Sequence, residues 1–234
     1  MNLKTTRGIP ESRFPQISMS VKYHTKPEKP VTCNVICKFL VTGILFILCN
    51  PVVLANPTAA EDIVRETTLL VLDKLATERE MIANDPYHLQ KIVHEIITPH
   101  FDFETMTRLV LKDYWNKFSP PQRECLVKGF RNLLVNRYSH ILLSYNNHEI
   151  TYGPVINLGE QGYVTIRQTL SRDRDRPLPI DYPMHPDKNN LRVVDIVIDG
   201  VSLIWSYRGI FRYEIDRYGL VRFLAGFPEC NAVK

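Results

Sequence analysis

Apolar side chains recur every three or four residues as far as Asn146-Asn147 and every second residue beyond it, and this change of period constrains the fold more than any other feature of the chain. Before the switch the spacing predicts a helix over about 58–84, with Ile63, Thr67, Leu70, Val71, Leu75 and Ile82 inward. Asp85-Pro86 caps and starts a second helix, whose Leu89, Ile92, Val93, Ile96 and Ile97 follow the i, i+3, i+4, i+7, i+8 series. Asp102 and Ser119 are good N-cap types that open two more; Pro120 suits the first helical position, and Gln122 completes a capping box with Ser119. Behind that box Leu126, Phe130, Leu133, Leu134, Ile141, Leu142 and Tyr145 form one broad apolar face.

After the switch, residues 149–156, 162–170, 178–184 and 191–198 read as strands rich in Val, Ile, Thr and Tyr, separated by Gly153-Pro154, Gly159 and Asp187-Lys188-Asn189-Asn190. A helix over about 202–217 and a short one after Gly219 close the chain. Helices first and strands second predict an α+β fold: a helix-rich N-terminal half packed on an antiparallel sheet of about four strands.

The first 55 residues stand apart. Phe39 to Cys49 is an uncharged apolar run behind Lys22, Lys26, Lys29 and Lys38, and Val53-Leu54-Ala55 suits signal-peptidase cleavage. We expect 1–55 to be a cleaved secretory signal and 56–234 a single domain; the leader is long, and a start at Met19 would shorten it. Asn50 and Pro51 interrupt the apolar run short of the roughly 20 residues a spanning helix needs, so the expected product is soluble and exported. Seven of the 29 Lys+Arg and two of the 25 Asp+Glu lie in the leader, which leaves 22 basic against 23 acidic side chains. A near-neutral domain with interspersed signs has no electrostatic footprint for nucleic acid. Cys125 and Cys230 alone remain after processing; spacing leaves open whether they pair or stay free.

Catalytic patterns are weak. Gly200-Val201-Ser202-Leu203-Ile204 resembles the serine elbow of a hydrolase, but Ile stands where that motif needs Gly and no His follows His185, so Ser202 or Asp199 reads more simply as a helix cap. His94, His100, His140, His148 and His185 are scattered without metalloprotease spacing, and no metal site is expected. Ser171-Arg172-Asp173-Arg174-Asp175-Arg176-Pro177 alternates charge, as a solvated hairpin tip does, or as arginines that meet an anionic headgroup would.

Two stretches carry a family resemblance. Phe101-Asp102-Phe103, Met106, Arg108, Tyr114-Trp115, Gln122-Arg123 and Phe130-Arg131-Asn132-Leu133-Leu134 with Tyr138-Ser139 form the first; Asp195-Ile196-Val197-Ile198-Asp199-Gly200-Val201-Ser202-Leu203 with Tyr207-Arg208 and Phe211 form the second. Together they resemble the MlaC-type periplasmic phospholipid-binding family, also called the toluene-tolerance auxiliary family, over essentially all of 56–234. Lys112 departs from the pattern where the family commonly has Gly, and Leu191 where a Trp usually opens the strand.

The resemblance implies a periplasmic, non-catalytic monomer whose helices and curved sheet enclose an apolar cavity for the acyl tails of a glycerophospholipid, with no cofactor beyond that cargo. It implies as partners an MCE-domain component of an inner-membrane ABC complex and an outer-membrane lipoprotein complex. Roughly 30 methylenes at about 0.8 kcal/mol each put on the order of 20 kcal/mol between a lipid free in water and one in an apolar environment, which is why such a carrier is needed. Phe101, Met106, Val110, Trp115, Phe130, Leu134, Tyr138, Val164, Ile166, Val194 and Ile196 are the expected lining, and Asp195, Ser202, Tyr207 and Arg208 the expected framework of the strand-to-helix corner. The rival readings are a small periplasmic hydrolase using the same cavity and a lipid-free adaptor whose apolar faces are filled core.

Overall fold

Around Glu78 the backbone leaves helical geometry (φ −106°, ψ 19°), and the single helix expected over 58–84 becomes two. The computed structural model describes residues 57–144, 149–157, 162–171, 176–187 and 190–233. The expected leader over 1–55, Tyr145, and four residues of the alternating-charge run, 172–175, lie outside the described residues. Helix α1 (Pro57–Thr77) is followed by α2 (Arg79–Asn84), and the Glu78 carboxylate between them takes the Lys74 ammonium and the His88 ring. Asp85 accepts the Tyr87 N–H at 2.9 Å and opens α3 (Pro86–Ile92) with Pro at its first position, as the sequence predicts. The chain then tightens through a π turn (Val93–Ile97) and a 3-10 turn (Thr98–His100).

Asp102 caps α4 (Phe103–Leu111) by accepting the Thr105 N–H at 2.9 Å, and the Ser119 N–H donates to Gln122 Oε1 at 2.9 Å within the capping box of α5 (Pro120–Tyr138). That helix gives way to a 3-10 turn over Ser139–Ser144, so its apolar face ends earlier than expected and Ile141 is exposed. Lys112, just after α4, holds φ +45°, ψ −110°, a region that glycine reaches freely and L side chains rarely occupy.

Among the described residues seven short strands form one antiparallel sheet: β1 (Ile150–Tyr152), β2 (Ile156–Asn157), β3 (Val164–Leu170), β4 (Leu178–Asp187), β5 (Asn190–Val193), β6 (Val197–Ile198) and β7 (Val201–Ser202). The order is β1-β3-β4-β6-β7, with β2 also on β3 and β5 also on β4. The expected four became seven for local reasons. Gly153-Pro154-Val155 breaks the first, and Val194-Asp195-Ile196 breaks the last, where the Asp195 carboxylate accepts the N–H groups of Ile196 (2.8 Å) and Ile204 (3.1 Å). Asp199 and Gly200, both at positive φ (52° and 82°), make the two-residue turn between β6 and β7. Helix α6 (Leu203–Leu224) follows; at Gly219 (φ 81°, ψ 165°) it kinks, where the sequence predicted a break.

Buried side chains gather in two main clusters. In one, α4, α5, α6 and the C-terminal turn enclose Phe130, Tyr207, Phe211, Phe223 and Phe227, whose rings meet edge to face at centroid distances of 5.0–5.8 Å. Gly129 admits this packing: a ring atom of Phe227 lies 2.5 Å from where a side chain there would begin. One turn away, Cys125 and Cys230 are joined in a disulfide with Cα atoms 5.1 Å apart, which settles the pairing left open above. In the other cluster, Ala60 and Val64 of α1 cover Val164, Ile166, Met184, Leu191 and Val193 of the sheet. Among the described residues no helix is long and apolar enough to cross a membrane.

Candidate functional site

Strand register decides which sheet side chains share a face. Val164 pairs with Met184, Ile166 with Tyr182, Gln168 with Ile180 and Leu170 with Leu178; Ile150 and Tyr152 join this face through Leu170 and Gln168, Val193 through Met184, and Ile198 through Ile180. Along it burial changes from one end to the other. Val164, Ile166 and Met184 are fully covered by α1, whereas Ile150, Leu170, Leu178, Ile180 and Ile198 are half-buried and pack into none of the clusters of buried side chains. On the facing helix Ala60, Val64 and Val71 are buried, while Leu70, expected inward, turns outward with Leu69 and is 56% exposed. The result is an apolar ramp, closed at one end and open at the other.

A polar knot sits where the ramp begins. The buried Gln168 donates to Thr68 Oγ1 at 3.0 Å and to the Tyr152 hydroxyl at 3.3 Å, and accepts the Tyr182 hydroxyl at 2.9 Å; the Arg65 guanidinium lies 4.1 Å over the Tyr152 ring. Burial, with the neighbouring Tyr152, pushes the Tyr182 phenol well above its ordinary range, so it stays a hydrogen-bond donor. This knot was not expected from the sequence. A signal for it exists: in Val164-Ile166-Gln168-Leu170 one amide interrupts an apolar parity.

The closed end is clamped. Phe101 bridges Val193, the Asp102 N–H donates to Val193 O at 3.0 Å, and the Asp102 carboxylate holds the His185 ring at 2.8 Å. Burial pushes the Asp102 carboxyl up, but the Thr105 N–H and side chain together with His185 outweigh it and hold it below the usual carboxylate range. The start of α4 is thereby fastened to β4 and β5.

The expected lining residues divide between the clusters. Met106, Val110, Phe130 and Leu134 are buried in the helical cluster, with Trp115 and Tyr138 half-buried at its margin; Val164 and Ile166 lie in the sheet cluster. Phe101 and Ile196 border both, so the seam between the clusters passes between them, and Val194 is buried but belongs to neither. The half-buried row of Ile150, Leu170, Leu178, Ile180 and Ile198 was not anticipated.

The framework residues meet at one corner. Ser202 donates its hydroxyl to Asp195 and accepts the Trp205 N–H at 3.0 Å, which makes it the cap of α6. Burial raises the Asp195 carboxyl above its ordinary range despite that bond. Tyr207 packs its ring on Phe130 and bonds Tyr138, and burial raises its phenol further. Arg208 Nε donates to Leu109 O at 2.9 Å. Among the described residues no imidazole bonds the Ser202 hydroxyl, which is engaged instead by Asp195 and the Trp205 N–H. Among the described residues no group of three or more His, Cys, Asp or Glu side chains could hold a metal ion.

Comparison with known proteins points the same way. The sequence profile of the family described as MlaC protein matches residues 65–226. The intermembrane phospholipid transport system binding protein MlaC of Haemophilus influenzae is 25% identical over 173 residues, 73% of this chain and 77% of that protein. The solved structure of a phospholipid-binding protein from Ralstonia solanacearum, in complex with a phospholipid, superposes with a TM-score of 0.64 at 25% identity, covering 71% of this chain and 95% of that one.

Proposed function

The chain belongs to the MlaC protein family, and from that premise we propose that it binds phospholipid by its acyl chains and carries it between two membranes. The observation that carries this reading is the half-covered apolar face: among the described residues Leu170, Leu178, Ile180 and Ile198 are half-buried and pack into none of the clusters of buried side chains. Acyl tails laid along this ramp would reach the seam between Phe101 and Ile196, and the Gln168, Tyr152 and Tyr182 hydrogen-bond cluster would sit beside the glycerol end. Of the expected lining, Phe101 and Ile196, half-buried where the two clusters meet, are the best placed; Val164, Ile166, Met106, Val110, Phe130 and Leu134 would support it from behind.

Carriage needs no bond chemistry. Lipid moves toward whichever partner binds it better. We place the protein in the periplasm after loss of the leader, working as a monomer between an outer-membrane lipoprotein complex and the MCE-domain component of an inner-membrane ABC complex. Mass spectrometry of protein purified without detergent tests the core of the proposal. A bound glycerophospholipid is the expected result; protein that is lipid-free, and stays so after incubation with phospholipid vesicles, would point to an adaptor instead.

A further inference from the structure

A groove of about 550 Å³ runs between α4, the 3-10 turn behind it (Lys112–Lys117) and α6. None of its lining comes from the sheet, so it is separate from the apolar ramp. Arg108, Lys112 and Arg208 bring three cations to it against the single carboxylate of Asp113, and Leu109 and Trp115 give it apolar wall. Among the described residues none of the three cations forms an ion pair. Arg208 is held by its bond to Leu109 O and by stacking over the Trp205 ring at 4.7 Å, and that ring is 70% exposed. Lys112 keeps its place in the groove at a backbone conformation unfavourable for any side chain. Such a conformation persists only where the surrounding structure holds it, and such positions cluster at binding sites.

We propose that this groove is a docking site for an acidic, partly apolar segment of a partner protein. Charge complementarity names the occupant: unpaired guanidinium and ammonium groups call for carboxylates, and Leu109, Trp115 and Trp205 for aliphatic side chains between them.

The chain has only two tryptophans, Trp115 lining the groove and Trp205 stacked under Arg208, so intrinsic fluorescence reports on this site. Titration of the full mature chain with a short capped peptide of glutamates and leucines should shift the emission, and added salt should weaken binding. Lys112→Gly should weaken the peptide about tenfold, and Lys112→Gly with Arg108→Gln further, while Lys128→Gln, on a different helix and paired with Glu124, should leave binding unchanged. Melting temperature checks folding in each case, and Lys112→Gly should raise it by relieving the backbone. No emission change, or unchanged peptide affinity in Lys112→Gly, would overturn the proposal. So would phosphatidylglycerol vesicles that shift the emission where the peptide does not, a result that would make this a membrane-facing surface.

Discussion

The hydroxyl of Ser202 donates to the carboxylate of Asp195, seven residues earlier, while its oxygen accepts the Trp205 N–H at 3.0 Å. Ser202→Ala removes the α6 cap and one bond to a carboxylate already short of solvation. We expect a loss of about 1–2 kcal/mol in urea unfolding, with lipid content by mass spectrometry unchanged. Loss of bound lipid at full stability would place Ser202 in the binding site.

Cys125 and Cys230 close a loop with a sequence separation of 105. Chain entropy makes such a bridge worth about 4–5 kcal/mol. Reduction, or Cys125→Ala with Cys230→Ala, should lower the denaturation midpoint accordingly and loosen the C-terminal turn first, as measured by amide exchange. A midpoint that does not move on reduction would contradict this.

Ile166 and Ile180 lie on one face of neighbouring strands, one pair apart, on either side of the point where burial changes. Ile166→Asp buries a charge and should cost more than about 3 kcal/mol, enough to prevent accumulation of folded protein. Ile180→Asp, half-exposed, should cost less than about 1 kcal/mol yet abolish phospholipid co-purification. The contrast between stability and lipid content is the measurement; equal behaviour of the two variants would refute the open-ended ramp.

His94 and His100 are held below the ordinary imidazole value of 6.5, first by burial and then by Arg131 and Arg192 respectively. For a base whose folded pKa is depressed, stability is complete above the unfolded value and is lost as pH falls through it toward the folded one. Thermal stability should therefore decline as pH drops below about 6.5, and His94→Gln with His100→Gln should flatten that decline. Asp102, an acid held below 3.8, adds stability above that pH and loses it only as pH falls further, a second and separate step.

Local chemistry made much of this fold readable. Asp85-Pro86, Asp102 and the Ser119/Gln122 box all open helices where their side chains can satisfy free N–H groups, and Gly219 bends the chain where the sequence predicted a break. What stayed hidden depends on partners distant in sequence. Asp195 breaks a run that alternates like one strand because its carboxylate bonds Ile204, and of the two cap candidates, Ser202 and Asp199, Ser202 caps α6 while Asp199 pairs with Gly200 in the two-residue turn. Sheet parity marks Leu178 and Ile180 as inward, yet only the point at which α1 stops covering the sheet separates their half-buried stretch from the core.

The gap at Gly129 has one more implication. Phe227 fills it, and Cys230, whose N–H bonds Phe227 O at 2.9 Å, lies bridged to Cys125 one helical turn away. A side chain at position 129 would therefore press on the same short segment that the covalent bridge pins, so the aromatic seat and the bridge share one anchorage.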